Sequence, residues 1–360
     1  MNMYALCIRA GALVVLCSVF TLQAADPDNS LRLSGEDVID LGTLGGSSSL
    51  ARDINNDTTI VGRSMLPGDT QINAFIIHGG EGAMVDLGTL PDSPGSAARA
   101  ISDSGVVVGW SWTPFGIRHA VFFGEGSVID IQGIGQGEAG LALQQAFISS
   151  ANDVANDGTT VGRKEHFSVD GPNAFVFEEQ VLNDLPTFGG PKSTARGVND
   201  HGIICGCAAL ADVQRGHVAL WIQGKLIDLG TLGGRIGCAQ AVNNLDEVVG
   251  NSWTRGNQER HAFLWTADLG MMDLGTLGAG THSTANDINE NSVIVGFSST
   301  LNADFRHAFL IGSDGIMVDI HPLGWMESVA FAINDHDQVV GAGLLPNGNW
   351  HALLWNHTTK

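Results

Sequence analysis

Four short segments recur in fixed order along this chain, and a strand-forming unit repeated seven times leaves few folds open. From Val38 the order is Asp-Leu-Gly-Thr-Leu-Gly-Gly, then Ala-x-x-Ile-Asn, then Val-Val-Gly, then His-Ala-Phe-Leu-Trp. The Asp falls at Asp40, Asp86, Asp130, Asp184, Asp228, Asp273 and Asp319. The Gly of the third segment falls at Gly62, Gly109, Gly162, Gly206, Gly250, Gly296 and Gly341, with spacings of 47, 53, 44, 44, 46 and 45. The last segment begins at Asn73, His119, Asn173, His217, His261, His307 and His351. Each segment holds four to six β-branched, aromatic or Ala residues between Gly, Asn and Asp, the pattern of a short strand. Four strands in about 45 residues match a propeller blade, whereas β-helix coils and leucine-rich repeats are much shorter. The predicted fold is all-β, a seven-bladed β-propeller of four-stranded blades.

The order of segments also predicts how the ring closes. With Ala-x-x-Ile-Asn innermost (A), followed by B and C, the Asp-Leu-Gly segment is outermost (D). The repeat region then begins with a D strand, residues 38–41, and ends with a C strand, residues 351–355, that lacks one. Pairing those two completes blade seven and removes two open edges. An open solenoid would need polar capping units, and none is recognisable.

The remaining segments are short. Arg9, the apolar run from Ala10 to Leu22 and the small residues Ala24-Ala25 predict a signal peptide over 1–25, too short in its apolar part to span a bilayer. A leader over 26–37, the propeller over 38–356 and a tail over 357–360 complete the expected organisation. The chain has 38 acidic and 17 basic residues, a net charge of −21, which argues against nucleic acid and anionic membranes as partners. No cofactor and no membrane span are expected, and the protein is expected to be a monomer.

These motifs resemble the HAF family of extracellular bacterial repeat proteins, as in His261-Ala262-Phe263-Leu264-Trp265 and Asp40-Leu41-Gly42-Thr43-Leu44-Gly45-Gly46. The resemblance covers residues 38–355 and implies export and a repeat scaffold; it implies no established activity.

Residues present in every unit are expected to be scaffold. The His set looks like a metal site, but Asn73 and Asn173 replace His in two units, and Asn shares its hydrogen-bond donor rather than its metal affinity. Each His is therefore expected to bond the Asp of the adjacent D strand, His261 with Asp273 for example. The acidic A-to-B turns, such as Asn334-Asp335-His336-Asp337, are expected to be Asx turns in preference to calcium loops.

Function is expected where the units differ, on the face carrying the variable B-to-C loops and the long D-to-A connection from Gly133 to Ile148. Trp110, Trp112, Phe115, Phe167, Trp253, Phe305 and Trp350 fall on that face. They form an exposed ligand surface, or else plug the gaps between blades. Arg52, Arg99 and Arg196 occupy the first variable position of the inner strand and are expected to line the axial mouth. The expected function is a binding module for an extracellular glycan or protein. The alternative is a polysaccharide lyase or hydrolase using non-repeated groups such as Lys164, Glu165, His166 or His282; no catalytic motif points to one. Outside the signal segment there are three cysteines. Cys205 replaces a strand valine, while Cys207 and Cys238 fall on one face in adjacent blades, so either one disulfide or three thiols is expected.

Overall fold

The computed structural model describes residues 38–124, 126–134, 147–166, 171–211, 216–300 and 305–356. The expected signal segment, leader and tail, Phe167 and most of the Gly133–Ile148 connection lie outside these residues. Seven four-stranded antiparallel sheets form the ring. The A strands are Ser49–Ile54, Ser96–Ile101, Phe147–Val154, Gly189–Val198, Gly233–Val242, Ser283–Ile288 and Glu327–Ile333. The B strands are Ile60–Met65, Val107–Trp112, Thr160–His166, Ile203–Leu210, Val248–Thr254, Ile294–Ser299 and Gln338–Leu344. The C strands are Ile72–Ile77, Arg118–Gly124, Asn173–Glu178, Gly216–Ile222, Arg260–Thr266, Arg306–Ile311 and Trp350–Asn356. The D strands of blades 1–6 are Val85–Gly88, Ser127–Asp130, Val181–Asp184, Lys225–Gly230, Gly270–Gly275 and Met317–Asp319. Blade 7 takes its D strand from the other end of the chain. Val38–Asp40 pairs with Trp350–Asn356, Val38 opposite Trp355 and Asp40 opposite Leu353.

The core lies between blades, not within them. Seven buried clusters each draw on two neighbouring blades; Ala51, Ile54, Ile60, Phe75 and Ile77 of blade 1, for instance, meet Ala332, Val340, Ala352 and Leu354 of blade 7. Trp221 and Trp355 are fully buried in this way, whereas Trp265 is half-buried.

Two features of the repeat follow from this packing. Each A strand carries a β-bulge after its Ala, between Ala51 and Asp53 in blade 1 and at the matching place in the other six. The bulge brings a carbonyl of the A strand against the invariant Gly of the B strand. A Cβ at Gly62, Gly109, Gly162, Gly206, Gly250, Gly296 or Gly341 would collide with the oxygen of Leu50, Ala97, Ser150, Thr194, Cys238, Thr284 or Val329 respectively.

The second feature is a serine that staples adjacent blades. The backbone N–H of the Ala in the C strand donates to a buried Ser of the next A strand: Ala74 to Ser96, Ala120 to Ser149, Ala174 to Ser193, Ala262 to Ser283, Ala308 to Ser328 and Ala352 to Ser49, at 2.7–2.9 Å. Between blades 4 and 5 the Ala is Val218 and the Ser is Gly237, and a Cβ on Gly237 would stand 2.9 Å from Val218 Cγ2. The larger side chain on one strand is matched by none on the other.

Gly237→Ser alone therefore overpacks that gap and is expected to destabilise the ring by about 1–3 kcal/mol. Combined with Val218→Ala it recreates the staple of the other six gaps, so thermal melting of the four proteins of this cycle should show a coupling on the order of 1 kcal/mol or more that favours the double variant.

Candidate functional site

The two faces of the ring carry opposite chemistry. On the A-to-B turn face, backbone amides and Asn, Asp and Glu side chains are bonded from blade to blade. Asn56 N–H donates to Asp103 Oδ1 (2.8 Å), Asn156 N–H to Asp200 Oδ1 (2.9 Å), Asp200 N–H to Asn244 Oδ1 (2.9 Å) and Asn244 N–H to Glu290 Oε1 (2.9 Å). Glu290 N–H then donates to Asp335 Oδ1 at 2.9 Å, and Asp335 N–H donates to Asn56 Oδ1 at 2.9 Å across the join between blades 7 and 1. Within the turns, Asn55 Oδ1 accepts from Thr59 N–H at 2.9 Å and Asn334 Oδ1 from Gln338 N–H at 3.0 Å. These oxygens are engaged in turn and ring bonds. Among the described residues no set of three or more His, Cys, Asp or Glu side chains is placed to hold a metal ion.

Beneath this face lie three buried carboxylates from the A strands. Asp53 accepts the N–H of Ile54 and of Ile101 in the next blade; Asp153 serves Val154 and Val198, and Asp287 serves Ile288 and Ile333, at 2.7–2.9 Å. Burial pushes Asp153 up to about 6 and Asp287 up to about 7, against the pull of the two amides each accepts. Asp53 is raised well above the usual carboxylate range by burial and by the charge of Asp287.

Along the outer strands each motif His bonds the Asp of the D strand. Nδ1 to carboxylate distances are 2.7 Å for His119–Asp130, 3.0 Å for His217–Asp228, 2.8 Å for His261–Asp273, 2.7 Å for His307–Asp319 and 2.9 Å for His351–Asp40. In blade 1 Asn73 Nδ2 donates to Asp86 at 2.9 Å. Blade 3 departs from the pattern: Lys164 is buried, and its Nζ holds Asp184 at 2.9 Å. Except for Asp184, which Pro186 follows, these carboxylates also accept the N–H two residues on, as Asp40 does from Gly42, whose φ of +70° explains the Gly of Asp-Leu-Gly.

The B-to-C face is basic where it meets the axis. Arg52, Arg99 and Arg196 are the bulged residues of their A strands, and the first two contact bulged residues of neighbouring blades. Arg52 lies over Phe331 (4.2 Å), and Arg99 Nη1 donates to Asn152 Oδ1 (3.0 Å), whose Nδ2 donates to Ala195 O (2.7 Å). Arg63, Arg118 and Arg163 stand around them. Burial, then the charge of Arg63, holds Arg52 down at about 10; burial, then the charges of Arg52, Arg118, Arg163 and Arg196, holds Arg99 at about 9. Among the described residues none of the six forms an ion pair with a carboxylate, and the Nε atoms of Arg63, Arg118 and Arg196 are buried without a hydrogen-bond partner.

The aromatics of this face divide. Trp110, expected in an exposed surface, is buried with 6% of its area accessible; it packs edge-on against Trp112 (5.9 Å) and under Arg118 (5.5 Å), a plug rather than a contact surface. Phe115 and Phe305 are exposed, and Trp112, Trp253 and Trp350 are half-buried. Cys207 and Cys238 form a disulfide joining blades 4 and 5 with a Cα separation of 4.7 Å, and Cys205 is a buried free thiol. Of the non-repeated candidates for catalysis, Lys164 is committed to Asp184. His166 packs on Phe147 in blade 3, and His282 sits against Trp253 on the far side of the ring, in the gap between blades 5 and 6.

No protein-family model and no curated protein matches the sequence. Solved structures do share the fold. The β-propeller domain of the Trilobed protease from Pyrococcus furiosus, described as having an open velcro topology, matches with a TM-score of 0.52 at 11% identity over 87% of this chain and 97% of that one. Oligogalacturonate lyase from Vibrio parahaemolyticus matches with a TM-score of 0.53 at 9% identity over 88% and 92%. TolB from Acinetobacter baumannii matches with a TM-score of 0.47 at 11% identity over 76% of this chain, which spans 63% of the TolB chain. At these identities the likeness is one of fold: the chain is a seven-bladed β-propeller. No helix among the described residues is long and apolar enough to cross a membrane.

The buried carboxylates set an unusual pH dependence. Asp153 and Asp287 keep their protons in the folded state above the ordinary carboxylate value of 3.8, while the unfolded chain has released them. Stability is thus fully present below about 4 and is lost as pH rises toward 7. His261, raised by its hydrogen bond to Asp273, acts in the same direction. The melting temperature is expected to fall between pH 4.5 and 7.5, by the equivalent of about 5 kcal/mol. Asp287→Asn, which forfeits one amide bond, should be less stable in acid and show a shallower slope; an unchanged slope would exclude Asp287 as its source.

A second expectation concerns the outer pairs. His261→Asn should cost less than about 1 kcal/mol in thermal melting, since Asn73 makes the same bond in blade 1, and His261→Leu about 1–3 kcal/mol, since it leaves Asp273 with the Gly275 amide alone.

Proposed function

We propose that this protein is an exported binding module of the HAF-repeat kind, with a signal peptide over residues 1–25, whose B-to-C face holds an acidic glycan. The observation that carries the proposal is the group of six arginines at the axial mouth. In a chain of net charge −21, carboxylates are abundant, yet Arg52, Arg63, Arg99, Arg118, Arg163 and Arg196 converge with no ion-paired carboxylate among the described residues. Guanidinium groups that repel one another cost stability, and a ligand supplying several carboxylates or sulfates removes that cost through bidentate bonds. Several fixed negative charges along a flexible polymer fit this better than one small anion. The half-buried Trp112 and exposed Phe115 on the same face offer ring surfaces for sugar stacking.

The enzymatic alternative has less support. The lyase named above shares the scaffold, but Lys164, Glu165 and His166 follow one another in a single strand of blade 3 with Lys164 locked in an ion pair, and His282 stands in the gap between blades 5 and 6. Binding is the function the site supports.

Polygalacturonate oligosaccharides titrated into the protein should bind with an affinity that falls as salt rises, and Arg99→Gln with Arg196→Gln should weaken binding by about tenfold or more at low salt. Neutral cello-oligosaccharides serve as the control. Salt-independent binding, or equal binding of both glycans, would overturn the charge argument, and the appearance of unsaturated products would return the enzyme to first place.

A further inference from the structure

The same face has a second feature that an acidic glycan does not account for. Between blades 7 and 1 lies a pocket of about 340 Å³, lined mainly by Leu50, Met65, Ile72, Val329, Phe331 and Trp350, with Arg63 and Arg306 at its edge. Ser48 and Ser49 complete its lining. Phe331 adds to the apolar lining, since it replaces the Arg, Asn or Gln that the other six blades place at the bulge.

The two arginines differ in what they can offer. Arg306 is committed: its Nε holds Glu327 at 2.7 Å, and its guanidinium lies 5.5 Å from the Trp350 ring and 5.8 Å from Phe297. Arg63 has no carboxylate partner, its Nε is buried and unbonded, and burial lowers its pKa, so the site gains from an anion there.

We propose that this pocket is a binding site for a small amphipathic carboxylate, an aromatic acid whose ring lies among Leu50, Phe331 and Trp350 and whose carboxylate meets Arg63. The volume falls within the range of small-ligand pockets, and apolar walls with one unpaired cation select a hydrophobic anion over a sugar.

The test uses the mature protein and a naphthoic acid, followed by calorimetry, with the primary amide of the same acid as the uncharged control. The acid should bind at least about tenfold more tightly than the amide. Leu50→Trp, which enlarges a half-buried wall of the pocket, should abolish binding by filling the space, and Arg63→Gln should weaken the acid about tenfold while leaving the amide unchanged. Thermal melting and polygalacturonate binding of Leu50→Trp report whether the ring and its axial mouth are intact, so this site can fail while the glycan site stands, and the reverse. Equal binding of acid and amide, undiminished binding by Leu50→Trp in a folded ring, or no binding of the acid at millimolar concentration would each overturn the proposal.

Discussion

A four-stranded blade has two apolar faces and can bury neither by itself, and every other property of this molecule follows from that constraint. All seven hydrophobic clusters straddle two blades, so each blade is stable only between neighbours. A ring is the arrangement in which no blade lacks a neighbour. Closure then becomes the decisive joint, and the chain makes it with more than one device. Val38–Asp40 completes the seventh sheet, Asp40 accepts from His351, Ser49 accepts from Ala352 N–H, and Asp335 donates its amide to Asn56. Each of these bonds has counterparts in internal gaps. The join between chain ends is therefore built like the other joints, with one strand exchanged.

The architecture was largely legible in the sequence because a sevenfold repeat separates structural from particular residues without any other information. Strand order, the latch and the His–Asp pairs followed from counting copies and asking what Asn and His share. The bulge was not legible, although its signs were present: an invariant Gly facing an Ala-x-x-Ile strand marks a close backbone approach, but only the paired register shows which carbonyl approaches. The Ser staples were also missed. Their serines lie two residues before the Ala that opens the A-strand pattern, in stretches that look like loop, and their meaning depends on the preceding blade. Gly237 opposite Val218 is the case where the dependence could have been seen, since both exceptions fall on one gap.

Particular residues were harder, because a lone side chain has no siblings to calibrate it. Trp110 and Phe115 looked alike as variable aromatics near a loop, yet one is buried beneath Arg118 and the other exposed. Strand parity separates them: Trp110 is two residues beyond the core residue Val108 and points into the gap, while Phe115 is at the tip of a turn. Lys164 looked like a free non-repeated base and is the blade 3 substitute for a missing histidine.

Charge placement is the last consequence of the ring. The A-to-B turns hold nine carboxylates, Asp57, Asp103, Asp157, Asp200, Asp246, Glu247, Glu290, Asp335 and Asp337, with no Lys or Arg among them. Six arginines crowd the opposite mouth. A random distribution in a chain this acidic would surround most arginines with carboxylates, and helical or globular folds commonly do so through local pairs. Here the strand direction forbids it. Turn residues and B-to-C residues of one blade are separated by the full length of a strand, about 20 Å for six residues, so the acids of one face are too far to neutralise the bases of the other. The axis thereby carries a potential that rises from the turn face to the loop face. Cationic molecules are drawn to the turn face, where Asp103, Asp200, Glu290 and Asp335 are already engaged in ring bonds. Anionic ones are drawn to the loop face, where guanidinium groups are unsatisfied. The unbonded guanidinium nitrogens of the second face are the observation on which the proposed anion site rests.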